Sequence, residues 1–243
     1  IINEYLKEKG VKLSPFEINI TGKMEKEGKK YGIGSSGSVV VVTIKAIFKL
    51  YKYELNSEIL FKLASYILLK SGDNGSMGDV ACIAYESLVF YKSFDREKIK
   101  EKMKKESLLN IINSDWNYEI KKIFVKEKYG FLVGWTKNIA ISKDMISNTE
   151  KNIKSSFLLE SDKNVEKFLK GVKDSNKSLI KESIKNADKI LKSLNKNIYN
   201  DKLINLVEAT KNLDICAKSS GAGGGDCGIA ISFKESDIKI MLS

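Results

Sequence analysis

The sequence predicts an α+β protein, because apolar residues at helical spacing alternate along the chain with short apolar runs typical of strands. A helix beginning near Ser36 is predicted by four residues spaced three or four apart: Val39, Val42, Ala46 and Leu50. Residues 228–233 predict a strand, since they are short, mostly apolar and preceded by glycines. The chain has 243 residues, of which 42% are hydrophobic and 30% charged, so it is long enough to form one large domain or two small ones.

The same reasoning places the other elements. Further helices are predicted at residues 57–69, 79–86 and 95–107, over most of 148–217, and from 237 onward. Further strands are predicted at residues 13–20, 88–91, 123–125 and 131–135, the last two around a turn at 128–130. Asp95 is expected to cap its helix, because an Asp side chain accepts hydrogen bonds from first-turn amides.

Composition excludes several chemistries. The chain has no histidine, which rules out Ser-His-Asp and Cys-His systems and His-bound metals within this chain. Its three cysteines lack C-x-x-C spacing, which argues against a zinc site or a disulfide framework. No apolar run approaches the roughly 18 residues of a membrane span, and no signal peptide is visible, so a cytoplasmic protein is predicted.

The net charge of +11 comes almost entirely from lysine. These lysines mostly alternate with glutamates, and Arg96 is the only arginine in the sequence. That pattern favours solvated helix faces over a nucleic-acid surface, which would show a basic stripe interleaved with aromatic residues. Attraction of a polyphosphate substrate remains the functional alternative.

Residues 31–38 form a loop rich in small residues that runs directly into the first long helix. Glycines let a backbone approach a phosphate closely, and a helix N-terminus adds partial positive charge. The loop supplies three glycines and three hydroxyls: Gly32, Gly34, Gly37, Ser35, Ser36 and Ser38. The sequence therefore predicts a phosphate-binding loop, with a tight turn before a buried helix as the alternative.

Two common phosphate motifs do not fit this loop. The dinucleotide fingerprint must follow a buried strand, whereas residues 24–30 are polar. A Walker loop requires Gly-Lys-Ser/Thr, and Ser38 stands where the lysine should be.

Two further glycine-rich loops follow. The loop at residues 71–78 leads to Asp79 at a helix start, where a carboxylate either complements the helix dipole or is aimed at a phosphate site. The loop at residues 219–226 has four glycines between 221 and 225, and each costs backbone entropy. Close approach to a ligand or to another loop explains them better than folding alone.

Together these loops resemble the three-motif pattern of the GHMP small-molecule kinases. Residues 32–38 match the second motif, and residues 220–226 match the third, Ser-Gly-Ala-Gly-Gly-Gly-Asp. Within that family the sequence is most similar to the bacterial phosphomevalonate kinases, in segments spread over nearly the whole chain: residues 30–39, 61–64, 72–79, 91–96, 134–136 and 218–227.

The resemblance implies a GHMP kinase-like fold of two domains. Residues 1–117 would form an incomplete N-terminal domain of left-handed βαβ type, and residues 118–243 a ferredoxin-like C-terminal domain. The implied reaction transfers the γ-phosphoryl group of ATP to (R)-5-phosphomevalonate, with Mg²⁺, in the mevalonate pathway of isoprenoid synthesis. The implied protein is a monomer or homodimer that binds no nucleic acid and no membrane.

The resemblance also assigns residues to roles. The ATP phosphates would be held by Gly32, Gly34, Ser35, Ser36, Gly37 and Ser38, with Ser36 at the Mg²⁺ ion. Asp79 matches the catalytic aspartate. The acceptor would meet Ser142, Lys218, Ser219, Gly221 and Ala222. Because a phosphate acceptor is already ionised, Asp79 would position a lysine or Mg²⁺ rather than remove a proton.

Two departures from the family pattern qualify these expectations. Residues 137–142 replace the Pro-Ala-Ser-Thr that usually follows Gly-Trp-Thr, with Ser142 as the remaining contact. Nothing in residues 1–30 matches the family's first motif with its lysine, and the C-terminal end is also short, so this chain alone is expected to be a poor catalyst. The alternatives are another GHMP kinase acting on mevalonate or homoserine, or a non-catalytic ligand- or nucleic-acid-binding protein on the same fold.

Overall fold

The computed structural model describes residues 1–22, 25–26, 28–137, 153–221 and 223–242. The chain divides into two units, one made of residues 1–21 and 34–123, the other of residues 22–33 and 124–243. Residues 22–33 thus group with the C-terminal half of the chain, and the chain passes between the units at Ile33 and Gly34. The assignment of residues 1–117 and 118–243 to the two family domains stays a prediction.

The elements in chain order are α1 (Ile2–Glu8), β1 (Glu25–Lys26), β2 (Lys29–Lys30), α2 (Ser35–Leu50), α3 (Ser57–Lys70), α4 (Gly78–Tyr85), β3 (Val89–Lys92), α5 (Arg96–Met103), α6 (Leu108–Asn113), β4 (Glu119–Lys122), β5 (Gly130–Trp135), α7 (Ser155–Lys173), α8 (Lys177–Leu194), a short 3₁₀ helix (Lys196–Ile198), α9 (Asp201–Ala209), β6 (Ile215–Ser219), β7 (Cys227–Ser232) and α10 (Glu235–Leu242). This mixture confirms the predicted α+β class. Within the described ranges no helix has the length and apolar character needed to cross a membrane.

The first unit is built around α3, which is buried over most of its length because apolar residues occupy nearly every side of it. Phe61 at its centre makes edge-on ring contacts with three aromatic residues, at centroid distances of 4.9–6.2 Å: Tyr91, Phe94 and Tyr118. Helices α2 and α4 both pack on α3, and strands β3 and β4 pair antiparallel beside them. Aromatic packing thus attaches strand β3 to α3, the helix on which α2 and α4 pack.

Helix α2 was predicted correctly, but its buried face was not. The buried residues are Gly37, Val41, Ile44, Ile47 and Phe48. Val42 is 61% exposed and Leu50 54% exposed, although both belong to the predicted apolar stripe. Because the helix carries valines on every side between residues 39 and 42, periodicity cannot select a face, and the packing against α3 and α4 decides it.

Side-chain caps begin several helices of this unit. Asp95 accepts the Lys98 N–H at 3.0 Å, which confirms the predicted cap of α5. Asn56 accepts the Ile59 N–H at 2.8 Å and begins α3 in the same way. Helix α5 ends at Met103, before the predicted residue 107, because Ser107 instead caps α6.

The second unit contains an antiparallel sheet in the order β5-β7-β6. Trp135 pairs with Cys227, and Ser219 with Gly228, so the third glycine-rich loop joins the two paired strands β6 and β7 at one end of the sheet. Helices α8 and α9 contact this sheet, and α7 packs on α8.

Three predictions of secondary structure were wrong. Residues 13–20 form no strand, since they have no pairing partner in the described part of the chain, and Ile20 is 61% exposed. Residues 123–125 lie beyond β4, and the expected hairpin is absent because β4 pairs with β3 while β5 pairs with β7. The predicted helical region 148–217 ends in strand β6, whereas the helix expected from 237 is present as α10.

Candidate active site

Helix α2 begins after a left-handed residue, Gly34, whose φ of 78° is tolerated at little cost only by glycine. Among the described residues no side chain caps this end of the helix. The first-turn N–H groups therefore lack partners within the helix and point beyond its end. Ser38 donates both its N–H and its hydroxyl to the Gly34 carbonyl, each at 3.0 Å. The start of α2 thus offers backbone donors and a positive dipole end to an anion.

The carboxylate of Asp79 lies against this start of α2. A methyl group on Gly34 would stand 3.0 Å from Asp79 Oδ2, and one on Gly37 would stand 3.2 Å from the same oxygen. Asp79 Oδ1 accepts the Val80 N–H at 2.9 Å, which orients the side chain while it remains exposed. The structure therefore brings the predicted catalytic residue next to two of the predicted phosphate-binding glycines.

The start of α4 fixes the position of Asp79. This helix follows Met77, a buried residue whose φ of 65° is strained for any residue other than glycine. The preceding backbone is anchored by the Tyr91 hydroxyl, which donates to the Ser76 carbonyl at 2.7 Å. Burial raises the pKa of Tyr91 above its ordinary value, so its hydroxyl stays protonated and can serve as this donor. Strain held in place by packing is a common property of functional sites.

Two other oxygen-bearing side chains of the second loop have structural roles. Asp73 Oδ1 accepts the Gly75 N–H at 2.6 Å in a local turn. Asn74 Oδ1 accepts a hydrogen bond from Lys100 at 2.7 Å. The two carboxylates in this part of the chain are Asp73, within the loop, and Asp79, directly after it. Of these two, Asp79 is the one that lies at the start of α2.

The third loop, between β6 and β7, is built on left-handed glycines. Gly221, Gly223 and Gly224 have φ values of 61°, 75° and 78°, which explains why glycine recurs here. The Ser220 N–H donates to the Cys227 carbonyl at 3.0 Å and closes the base of the loop. The left-handed glycines thus turn the backbone within the few residues that join the paired strands.

The predicted acceptor residues Lys218 and Ser219 end strand β6. Ser219 is fully buried, and the Tyr199 hydroxyl accepts its N–H at 3.0 Å. Lys218 Nζ donates to the Ser219 carbonyl at 2.5 Å. Burial lowers the pKa of Lys218 below its ordinary value, and the opposing attraction of Asp188 offsets only part of this. Lys218 is partly exposed, and because a desolvated ammonium gains from a negative neighbour, it is suited to binding an anionic substrate.

Gly32 is the one predicted phosphate-loop residue that belongs to the second unit. A methyl group on Gly32 would stand 2.3 Å from Asp226 Cγ, so the backbone approaches this carboxylate as closely as glycine allows. The neighbouring Tyr31 carbonyl accepts a hydrogen bond from Cys227 Sγ at 3.1 Å, and the Tyr31 ring packs on Trp135. The structure therefore holds Gly32 at the end of the third loop, while Gly34 to Ser38 start α2.

Ser142 and Ala222, the two other predicted acceptor contacts, lie outside the described residues. Sequence reasoning also missed three residues that shape the loops. These are Met77 before Asp79, and Ile198 and Tyr199 beneath the third loop. No pattern marks them, since each acts through its backbone conformation, its carbonyl or a single hydroxyl.

Comparison with known proteins assigns this architecture to a class of small-molecule kinases. The family described as "GHMP kinases N terminal domain" matches residues 1–87. The fold is also similar to that of Methanococcus jannaschii mevalonate kinase, with a TM-score of 0.68 and 23% identity over 99% of this chain and 68% of that one.

More similar proteins narrow the class. The structure of Streptococcus pneumoniae phosphomevalonate kinase in complex with phosphomevalonate and AMPPNP is 44% identical, with a TM-score of 0.95, over 99% of this chain and 74% of that one. The phosphomevalonate kinase of Streptomyces sp. (strain CL190) is 24% identical over 241 residues, which are 95% of this chain and 64% of that protein. The chain therefore belongs to the GHMP kinase family, and both of these similar proteins are phosphomevalonate kinases. It spans 64% of the length of the curated relative.

Proposed function

We propose that this protein is a phosphomevalonate kinase, which transfers the γ-phosphoryl group of ATP to the phosphate of (R)-5-phosphomevalonate and forms the diphosphate. The observation that carries the proposal is the placement of Asp79 against the uncapped, glycine-led start of α2. The pneumococcal relative, 44% identical over 99% of this chain, was solved with phosphomevalonate and an ATP analogue. A cytoplasmic location and a monomeric or dimeric state remain predictions.

The start of α2 provides what phosphoryl transfer requires of a protein. In this reaction the charge is spread over phosphate oxygens, and catalysis comes mainly from alignment and charge neutralisation. The first-turn N–H groups of α2, together with the hydroxyls of Ser35 and Ser36, supply donors for the phosphates of ATP. Glycine at positions 34 and 37 leaves room for the Asp79 carboxylate beside these donors, since a methyl group would stand 3.0 Å or 3.2 Å from Asp79 Oδ2.

The donor set at this helix start also fits Mg²⁺, a hard cation that prefers oxygen ligands. Asp79 Oδ2 lies close to Gly34 and Gly37, and the Ser36 side chain is exposed at the same helix start. Asp79 and Ser36 would hold the ion together with phosphate oxygens of the nucleotide. When bound, the ion would neutralise charge on the phosphates. Among the described residues, no three or more Asp, Glu, Cys or His side chains are grouped so that they could hold a metal ion, so the nucleotide would have to supply part of the coordination.

Lys218 and the third loop provide the acceptor side of the proposal. The acceptor carries a carboxylate and a phosphate, and the partly desolvated Lys218 ammonium gains from a nearby anion. Because phosphate oxygens are ionised near neutral pH, the acceptor needs no proton removed. Asp79 therefore acts by holding charge and geometry rather than as a general base.

A coupled ADP-release assay tests the proposal. Phosphomevalonate, mevalonate and homoserine are compared as acceptors, with the 243-residue chain and with the protein expressed from its complete reading frame. ADP release that depends on phosphomevalonate alone is the expected result. Turnover that depends on mevalonate or homoserine would assign a different kinase of the family, and no dependence on any acceptor would favour a binding protein.

A pH series tests Lys218 as the anion-binding group. Because burial lowers the pKa of Lys218, its ammonium loses its charge at a lower pH than an ordinary lysine does, and the KM for phosphomevalonate should begin to rise at that lower pH. Lys218→Arg carries a charge that is retained throughout this range, and its KM should stay flat as the pH rises. The contrary result is an alkaline rise of KM that is identical in wild type and Lys218→Arg.

A further inference from the structure

The third loop rests on the short segment Ile198–Tyr199 at two separate points. The Tyr199 hydroxyl accepts the Ser219 N–H at 3.0 Å, at the point where strand β6 ends. The Ile198 carbonyl accepts the Gly224 N–H at 2.8 Å, within the glycine run. Adjacent residues of one segment thus hold the loop where it begins and again before it ends.

The contact between this segment and the loop has no spare room. A methyl group on Gly223 would stand 2.4 Å from Ile198 Cγ2 and 2.6 Å from the Ile198 carbonyl oxygen. Gly221 has a similar left-handed backbone, but a methyl group there would meet nothing within 4 Å. The loop therefore lies directly against Ile198 at one glycine and is open to solvent at the other.

Charged groups beneath Tyr199 keep its side chain in place. Lys192 Nζ lies 4.8 Å from the centre of the Tyr199 ring and donates to Asp188 Oδ2 at 2.7 Å. Burial, followed by the interaction with the Asp188 carboxylate, raises the pKa of Tyr199 above its ordinary value. The Tyr199 hydroxyl therefore stays neutral near physiological pH and remains an acceptor for the Ser219 N–H. Asp188 is itself buried, and its attraction also acts on Lys218.

We propose that Ile198 and Tyr199 are positioning residues that fix the third loop in the shape needed to bind the phosphorylated acceptor. The proposal rests on the function proposed above. The two residues act through the loop backbone. Their hydrogen bonds fix Ser219 and Gly224, and the carbonyl of the fixed Ser219 accepts a hydrogen bond from the Lys218 ammonium.

Tyr199→Phe tests the first contact, because it removes the hydroxyl while keeping the ring over which Lys192 lies. Loss of one hydrogen bond is expected to speed amide exchange in peptides spanning residues 219–226 by about fivefold. The KM for phosphomevalonate should rise by about fivefold or more, while the KM for ATP stays within twofold. Tyr51→Phe is the matched control, since the Tyr51 hydroxyl donates to the Ser14 carbonyl, far in sequence from residues 219–226. This variant should leave the amide exchange rate and the KM values for phosphomevalonate and ATP unchanged.

Gly223→Ala and Gly10→Ala test the second contact as a pair. Both substitutions place alanine in a left-handed conformation, at φ values of 75° and 79°, so their backbone strain is similar. A methyl group on Gly10 would meet nothing within 4 Å, so only Gly223→Ala must push the loop away from Ile198. Gly223→Ala should raise the KM for phosphomevalonate by at least tenfold more than Gly10→Ala does. Equal effects of the two variants on this KM would overturn the proposal.

Amide exchange and the KM for phosphomevalonate together test this proposal separately from the proposed function. If wild-type protein does not use phosphomevalonate, the proposed function fails, and the assignment of an acceptor role to the loop fails with it. Amide exchange still decides whether Ile198 and Tyr199 hold the loop. Faster exchange without a selective rise in the acceptor KM would reduce both residues to a structural role and contradict the proposal.

Discussion

Replacing Asp79 by asparagine is expected to lower kcat by about 100-fold, with little change in stability. Asparagine preserves the size of the side chain and retains an oxygen for the Val80 N–H, so α4 should still begin in the same way. What disappears is the negative charge beside the start of α2, and with it the anchor for a cation that neutralises the phosphates. Steady-state ADP release by the protein from the complete reading frame, with saturating substrates, measures this loss.

Asp73→Asn is the control for this substitution. It neutralises a carboxylate in the loop that leads to Asp79, while its amide oxygen can still accept the Gly75 N–H. Asp73→Asn should keep kcat within about twofold of wild type, since the charge it removes serves only a surface turn. If Asp79→Asn keeps kcat to the same extent, Asp79 has no part in the reaction.

Gly34→Ala is expected to raise the KM for ATP by at least tenfold. The methyl group would stand 3.0 Å from Asp79 Oδ2, and the backbone would have to leave its φ of 78°. Both changes displace the first-turn N–H groups that bind phosphate, and misplaced donors lose much of their electrostatic effect. Equilibrium binding of a fluorescent ATP analogue measures the effect independently of turnover.

Gly10→Ala separates backbone strain from the effect on the site. Gly10 follows α1 with a φ of 79°, and a methyl group there would meet nothing within 4 Å. Both variants should lose about 1–2 kcal/mol of stability from the left-handed alanine, which thermal unfolding records. Only Gly34→Ala should lose ATP affinity, and a loss of similar size in Gly10→Ala would attribute the effect to destabilisation.

Local chemistry accounts for the parts of the fold that the sequence could predict. The Asp95 cap depends on residues within three positions of one another, and the start of α2 is marked by its glycines and serines. The pairing of β3 with β4, and of β5 with β7, depends on contacts between residues far apart in sequence. Residues 123–125 and 131–135 follow one another along the chain and were therefore predicted to form a hairpin, which is absent.

The site could be predicted where the local residue composition indicates a constraint on the backbone. Glycine runs signal a backbone that side chains would obstruct, and Gly34 and Gly37 do lie within contact of the predicted catalytic Asp79. Tyr199 could not be found in this way. Its role comes from one buried hydroxyl that meets a backbone N–H twenty residues away, and an isolated tyrosine in a sequence gives no sign of this.

The destination of the transferred phosphoryl group decides whether the acceptor is a phosphate or a hydroxyl group. Phosphorus NMR of a reaction containing ATP, Mg²⁺ and phosphomevalonate distinguishes a new phosphoanhydride from a new phosphate ester. We expect a coupled pair of diphosphate signals from the product, which grow in step with ADP and form about 100-fold more slowly with Asp79→Asn. A new monoester signal would show transfer to a hydroxyl group, and accumulation of inorganic phosphate alone would show hydrolysis of ATP. Either result would contradict the assignment of a phosphate as the acceptor.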